Sequence, residues 1–410
     1  MGVACTEVDE REDLVATYLA ELPADRAREA AEAFATGQSI GTWVPVPGIS
    51  ERMRRLHGAQ VVEVRRDDPQ VEVAGEPIGS RWLLRVRFPT VNFGPQFPML
   101  LSTLIGNDPS TSLACRLIDI ELPAAYEAAF PGPRCGIAGW RRITGVGDRP
   151  LLLNMIKPCT GYSPAVGAGL VEQTARGGAD LIKDDELLGD APFNHVAERA
   201  RVYRERLERV AEETGHRARY IANVTSRAIH LVDTARAAVD AGADALMVNA
   251  LALGLDPLQA LAESDIGVPI LIHTAIAEVL TGGASTGIGQ ALLFGKLLPL
   301  AGADAVFTTT PYARRPLRQG IFDHTVAWLR TSRGDAHRPS MPMLAGGLTV
   351  AMIEPLIRQT GHDVILGVGG AIQGHPDGAE AGARAVRLAI DAAVMATAAP
   401  SGGDRGGRDG

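Results

Sequence analysis

Residues 177–186 read GGADLIKDDE, a short apolar run that ends abruptly in Lys183, Asp184, Asp185 and Glu186, with no apolar stretch of a strand's length after it. Side chains alternate faces along a strand, so Lys183 and Asp185 point the same way, and Glu186, where the chain turns, can swing to join them. A hard divalent ion such as Mg²⁺ takes oxygen ligands, usually a few carboxylates completed by water and substrate oxygens. Asp185 and Glu186 supply two of these. A neutral lysine amine adds CO₂ to become a carbamate, and Lys183 in that form is a third oxygen ligand on a long arm. The plainer reading is that the three acids only complement the N-terminus of the following helix.

Working outward, apolar runs recur after residue 150 as LLLNMI (151–156), ADLI (179–182), RYIANV (219–224), ALMVN (245–249), PILIH (269–273), DAVFT (304–308), MPMLA (341–345) and DVILGV (363–368). Between them lie helix-periodic stretches such as VAERARVYRERLERVAEE (196–213) and TARAAVDAG (234–242). Eight short apolar runs, each followed by a helix, predict a closed α/β barrel of the (β/α)₈ TIM type over 146–398, with a doubly wound open sheet as the other arrangement of the same pattern. A barrel gathers its chemistry just after the strands. Lys157, the KDDE cluster, Asn223, Asn249, His273, Gly346–Gly347 and Gly369–Gly370 all fall there. Paired glycines after the last two strands leave backbone N–H groups unobstructed for a phosphate, or else make tight turns. His375, within GHPDG, reads as part of a turn.

Residues 12–145 have another texture. A helix-like ADRAREAAEAFATG (24–37), strand-like QVVEVRR (60–66) and RWLLRVRFP (81–89), a helix near 96–105 and CRLIDIEL (115–122) predict a smaller α+β domain. From Pro400 the chain is Gly, Asp and Arg with little to bury, so a disordered tail is expected over 399–410. A net charge of −8 provides no basic stripe for nucleic acid, and no apolar run approaches membrane-spanning length. No charged segment followed by an apolar core opens the sequence, so no secretion signal is expected, and Cys5, Cys115, Cys135 and Cys159 form no CxxC pair. A cytoplasmic location is expected.

On these motifs the chain resembles the RuBisCO-like proteins of the RuBisCO large-chain superfamily. GGADLIKDDE is similar to that family's carbamylated-lysine and Mg²⁺ motif, IKP (156–158) to its first-strand lysine segment, and IGTWVPVPG (40–48) to its N-terminal GTW segment. FPGPRCGI (130–137), His273, AGG (345–347) and GVGGAIQGHPDGA (367–379) follow in the family's order. The resemblance implies that Lys183 carries the carbamate, that Asp185 and Glu186 bind Mg²⁺, and that Lys157 and His273 line the substrate site. It implies too a ferredoxin-like N-terminal domain and a homodimer with shared sites, to which Thr42, Trp43 and Asn107 come from a second subunit.

The departures from carboxylating RuBisCO are specific. Cys159 stands where a second lysine belongs, Thr274 where an arginine follows the strand-five histidine, and Phe307 at the strand-six histidine; TTTPYARRP (308–316) carries no loop lysine. Gly37 or Gln38 falls where a glutamate precedes the GTW segment. Replacing a phosphate-binding histidine by Phe307 removes a charge-assisted hydrogen bond contributing ~1.5–3 kcal/mol. The chemistry left is enolisation of a phosphorylated ketone, with Lys157, the Lys183 carbamate and His273 as candidate bases. The chain is most similar to the methionine-salvage enolases that act on a diketo-methylthiopentyl phosphate, except that Asn107 stands where those carry a lysine base. Isomerisation of methylthioribulose phosphate and decarboxylation or transcarboxylation of a phosphorylated branched 3-oxo sugar acid use the same residues. A vestigial binding scaffold and a Schiff-base aldolase are readings of other classes. Arg314 and Arg315 are read as a solvated turn or as partners of an anionic substrate group, and a nucleophilic Cys159 as a weaker idea.

Overall fold

The computed structural model describes residues 13–41, 44, 46–66, 68–107, 109, 112–332 and 337–398. The expected tail at 399–410 lies outside the described residues. All eight apolar runs form parallel strands of one closed barrel: Leu151–Met155, Leu181–Lys183, Arg219–Asn223, Ala245–Val248, Ile270–Ile272, Ala305–Thr309, Met341–Ala345 and Ile365–Val368. The ring closes where Ile365–Val368 pairs with Leu151–Met155. Alternation sorts the side chains. Leu151, Leu153, Leu181, Ile221, Met247, Leu271, Met343 and Ile365 fill the barrel interior, whereas Leu152, Ile182, Tyr220 and Leu246 face the helices outside.

The outer helices follow from their apolar stripes. In Val196–Thr214 the buried Val196, Ala200, Tyr203, Leu207 and Val210 recur at helical spacing, and the outer face is laced by Arg201–Glu205 and Arg204–Glu208 pairs. Pro164–Arg176 starts on Ser163, whose hydroxyl accepts from the Val166 N–H, with Pro164 at the first helical position.

The N-terminal strands Asp13–Ala20, Gln60–Arg65, Trp82–Pro89 and Cys115–Glu121 make an antiparallel sheet. Numbered along the chain, their order across the sheet is 4-1-3-2, with helices Ala27–Gly37 and Phe97–Ile105 after the first and third; this is the ferredoxin-like form. One face packs on those helices through Tyr18, Phe34, Leu84 and Leu100, and Tyr18 donates its hydroxyl hydrogen to the Leu104 carbonyl at 2.9 Å. The expected division at 145/146 puts helix Gly136–Thr144 with this domain. Yet Trp140 of that helix closes the barrel floor beside Leu151 and Leu181, and the buried Asp304 carboxylate accepts from the N–H groups of Cys135, Gly136 and Ile270. We therefore propose that the division falls just before Gly136.

A loop between the fifth and sixth barrel strands fastens the two domains. Its two-residue strand Gly287–Ile288 extends the N-terminal sheet, running parallel to Cys115–Glu121. Arg116 donates to the Gly283 carbonyl at 2.8 Å and to Glu76 at 2.9 Å, with both side chains of that ion pair almost wholly buried. Removing one member of such a pair leaves an uncompensated charge, a loss of ~3–5 kcal/mol. Arg116→Ala is therefore expected to lower the unfolding free energy by about that amount in chemical denaturation; an unchanged midpoint would rule out this fastening role.

Candidate active site at the barrel mouth

The second barrel strand ends at Lys183, whose side chain is fully buried. Its Nζ donates to the Asp184 carbonyl at 2.8 Å and lies 3.8 Å from Glu186 Oε2. His273, just past the fifth strand, places Nε2 3.5 Å from the same Glu186 oxygen, and its ring packs on Phe307 with centroids 4.7 Å apart. Lys157 reaches across from the first strand to Asp185 Oδ2, while Asp185 Oδ1 accepts from the Leu187 N–H at 3.1 Å. Lys157 Nζ also lies 3.2 Å from Cys159 Sγ. Thus Lys157, Lys183, Asp185, Glu186 and His273, drawn from three strand ends, converge at one place.

Burial sets the electrostatics of Lys183 and His273, and hydrogen-bond partners set those of Lys157 and Asp185. Desolvation holds the Lys183 amine below the usual lysine range, and Glu186, Asp185 and Asp184 oppose it without winning. Two adjoining carboxylates alone favour the charged form of Lys183; full burial works against it and toward the neutral amine, which is the form that reacts with CO₂. His273 is pushed down to about 4, first by burial and then by Lys183, so its imidazole is neutral near pH 7. Burial alone would lower the Lys157 amine, but hydrogen bonds to Asp185 and Cys159 outweigh it and raise it. For Asp185, burial raises and the Lys157 hydrogen bond lowers, and the carboxyl ends below its usual range.

Among the described residues no group of three or more His, Cys, Asp or Glu side chains could hold a metal ion. Two carboxylates are present, and a third oxygen donor exists only when Lys183 carries CO₂. The buried amine of Lys183, whose charged form burial disfavours, stands beside Asp185 and Glu186 and fits that requirement, and the resulting all-oxygen set suits Mg²⁺.

Behind the cluster lies a network the sequence reading did not assign. Asp184 points outward from the barrel, where its Oδ2 accepts from Arg199 Nη2 at 2.9 Å, the Tyr220 hydroxyl at 2.7 Å and the Asn223 N–H at 2.9 Å. Arg199 also donates to the Asn194 carbonyl and side chain. Strand-end asparagines such as Asn223 and Asn249 read equally as groups that orient a ligand or as caps of the next helix. The structure gives them a different job. Asn223 Nδ2 donates to the carbonyls of Asp185 and Glu186 at 3.1 and 3.3 Å, and Asn249 Nδ2 to that of Glu186 at 2.9 Å, so the two amides hold the acidic turn in place.

The glycine pairs sit where the strands predict. Gly346 and Gly347 adopt φ of +102° and +88°, which glycine alone takes readily, and a side chain at Gly347 or Gly370 would meet nothing within 4 Å. The short helix Gly370–Gln373 is moored by Gln373, which donates to Asn154 Oδ1 at 2.7 Å; Asn154 in turn donates to the Val368 carbonyl. A buried asparagine inside an apolar strand was the only sequence signal for that mooring. Thr42 and Trp43 lie outside the described residues. Asn107 is exposed just after helix Phe97–Ile105, Arg314 and Arg315 are exposed, and His375 accepts from the Asp377 N–H within its turn. Cavities of about 390 and 340 Å³ open at the opposite end of the barrel, beside Asp304 and Asp244 respectively.

A (β/α)₈ barrel with a lysine and two carboxylates converging at its second-strand exit, joined to a ferredoxin-like domain, defines a narrow class. Residues 6–126 match the ribulose bisphosphate carboxylase large chain, N-terminal domain, and residues 136–321 and 322–404 match the catalytic domain of the same chain. The protein belongs to the RuBisCO large-chain family. It is 39% identical over 391 residues to a ribulose bisphosphate carboxylase-like protein of Archaeoglobus fulgidus, covering 95% of this chain and 89% of that one. It is 37% identical over 386 residues to a 2,3-diketo-5-methylthiopentyl-1-phosphate enolase of Geobacillus thermodenitrificans, covering 93% and 92%. Its structure is similar to a rubisco-like protein of Alicyclobacillus acidocaldarius, with TM-score 0.84, 32% identity and coverage of 94% and 95%. It is similar as well to an octameric RuBisCO of Pyrococcus horikoshii, with TM-score 0.84, 30% identity and coverage of 95% and 90%.

The Asp184–Arg199 pair is fully buried on both sides. Arg199→Met should therefore destabilise the protein by ~3–5 kcal/mol in denaturant titrations. A change under about 1 kcal/mol, the range of an exposed pair, would contradict the anchoring role.

Proposed function

We propose that this chain is a Mg²⁺-dependent RuBisCO-like enzyme that enolises a phosphorylated keto substrate of the 2,3-diketo-5-methylthiopentyl-1-phosphate type, without fixing CO₂. The observation that carries the reading is the buried amine of Lys183 beside Asp185 and Glu186 at the barrel mouth. In its neutral form Lys183 forms an N–C bond to CO₂ and releases one proton, and the carbamate with Asp185 and Glu186 would hold the ion. Mg²⁺, when bound there, supplies Lewis-acid stabilisation of the negative charge that develops on the substrate's carbonyl oxygen.

The chain's own residues do the rest. Gly347 and Gly370 leave room for a phosphate against backbone N–H groups. Neutral His273 offers one donor and one acceptor to a substrate oxygen or to the departing proton. Lys157, once away from Asp185, offers its amine to the phosphate or the proton. Asn107 has no acid–base chemistry, which favours a base carried by the barrel itself and keeps decarboxylation of a phosphorylated 3-oxo acid as the second reading. Phe307 beside His273 gives an apolar wall where carboxylation of a bisphosphate needs a charge-bearing partner.

Segments after five of the barrel strands expose large apolar side chains: Leu187, Phe193, Ile229, Val279, Tyr312 and Val350. Such a patch fits coverage by a second copy in a homodimer, whose Thr42, Trp43 and Asn107 would complete each site. A cytoplasmic location suits this chemistry, and no helix among the described residues is long and apolar enough to cross a membrane.

The test is solvent-deuterium exchange followed by NMR, with Mg²⁺ and bicarbonate. The panel holds the diketo-methylthiopentyl phosphate, methylthioribulose phosphate, ribulose bisphosphate and a branched 3-oxo acid phosphate. We expect exchange or turnover with the diketo compound, falling about 100-fold or more in Lys183→Ala, and no carboxylation of ribulose bisphosphate. Undiminished exchange in the variant, or none with any compound, would refute the proposal.

A further inference from the structure

Both carboxylates proposed to hold the divalent ion face groups of the chain itself. Glu186 Oε2 faces Lys183 Nζ at 3.8 Å and His273 Nε2 at 3.5 Å. Asp185 is engaged more completely: Oδ1 accepts from the Leu187 N–H, and Oδ2 is ion-paired with Lys157, while the carboxylate has no solvent exposure. The backbone bond to Oδ1 belongs to the turn and moves only with it. The Lys157 side chain is different, because it is about a third exposed and enters from another strand, free to swing toward the barrel mouth. A side chain at Gly369 would approach Lys157 Cε to 3.8 Å, so the Lys157 arm lies against the eighth-strand turn and has the site's open side before it.

Carbamylation of Lys183 changes the balance around this pair. An amine becomes an anion, so Lys183 then repels the Glu186 carboxylate that its nitrogen approaches to 3.8 Å, and three negative groups face one cation, Lys157. A divalent ion bound to Asp185 Oδ2 would sit within a few ångströms of the Lys157 ammonium, where like charges repel strongly in a partly desolvated site. The two cations cannot share that oxygen at low energy.

Resting on the enzymatic reading above, we propose that Lys157 is a built-in competitor of the divalent ion: its ammonium occupies Asp185 until the ion displaces it, and displacement delivers the amine to the substrate side of the site. Ion binding and the readiness of Lys157 are thereby one event, and the metal precedes the substrate. Cys159 supports the resting position, since its sulfur lies 3.2 Å from the same amine and holds it beside Asp185.

The test is isothermal titration of the full-length protein with Mn²⁺ as the probe, in saturating bicarbonate and without substrate. The proteins compared are wild type, Lys157→Met and Lys157→Arg, with thermal melts to establish folding and Lys157→Gln as the replacement should the methionine variant fail to fold. The neutral variants should bind Mn²⁺ roughly tenfold more tightly than wild type, a change of about 1.4 kcal/mol. The arginine variant, which keeps the cation, should stay near wild type. Equal or weaker binding by the neutral variants, with wild type binding normally, overturns the competition and leaves the enzymatic reading standing. The same titrations repeated without bicarbonate complete the test: binding that does not depend on bicarbonate, or no binding, in every protein overturns both.

Discussion

The site depends on one buried ion pair behind it. Asp184 and Arg199 are wholly buried, on the outer surface of the barrel rather than at its mouth. Because a strand alternates its faces, fixing Asp184 outward under Arg199 and Tyr220 forces Lys183 and Asp185 inward on either side of it. Four consecutive polar residues at a strand exit have no apolar side chain to set their register. The outward anchor sets it for them. Asn223 then belongs to both layers, since its backbone N–H binds Asp184 while its side chain holds the carbonyls of Asp185 and Glu186.

Held in this way, the inward cluster has a definite electrostatic character. Lys183 is too deeply buried to keep its proton readily, and His273 is neutral for the same reason. Lys157, more exposed and paired with Asp185, has its positive charge favoured instead. Three similar-looking basic residues are thus divided by burial and partner: a fully buried amine, a neutral imidazole, and a partly exposed cation paired with Asp185. Phe307 reinforces the division by closing the His273 side of the site with an apolar ring.

Much of this was legible in the chain. The eight apolar runs carried the barrel because parallel strands covered on both faces read as continuous apolar segments, and five of the strand-end polar residues, Lys157, Lys183, Asp185, Glu186 and His273, come together at one end of it. The ferredoxin-like sheet, implied by resemblance, is present in its strand order. What the sequence concealed was contact between residues far apart in it. Asp184 looks like its neighbours until Arg199, fifteen residues on, takes it to the other side of the strand. Asn223 and Asn249 resemble helix caps, but the turn they hold comes from another βα unit. Helix Gly136–Thr144 follows the N-terminal domain in sequence, yet Trp140 is drawn under the barrel by the Asp304 carboxylate at the helix start. Gly287–Ile288, two residues in a long inter-strand loop, carry no periodic signal at all, and only the open edge of the other sheet makes them a strand.

The central claim is that Lys183 becomes a carbamate. Carbon-13 NMR of the full-length protein in ¹³C-bicarbonate and Mg²⁺ tests it directly. The account predicts one carbamate carbonyl resonance in the wild-type protein that is absent from Lys183→Ala. A wild-type protein that turns over its substrate under the same conditions without showing that resonance would contradict it.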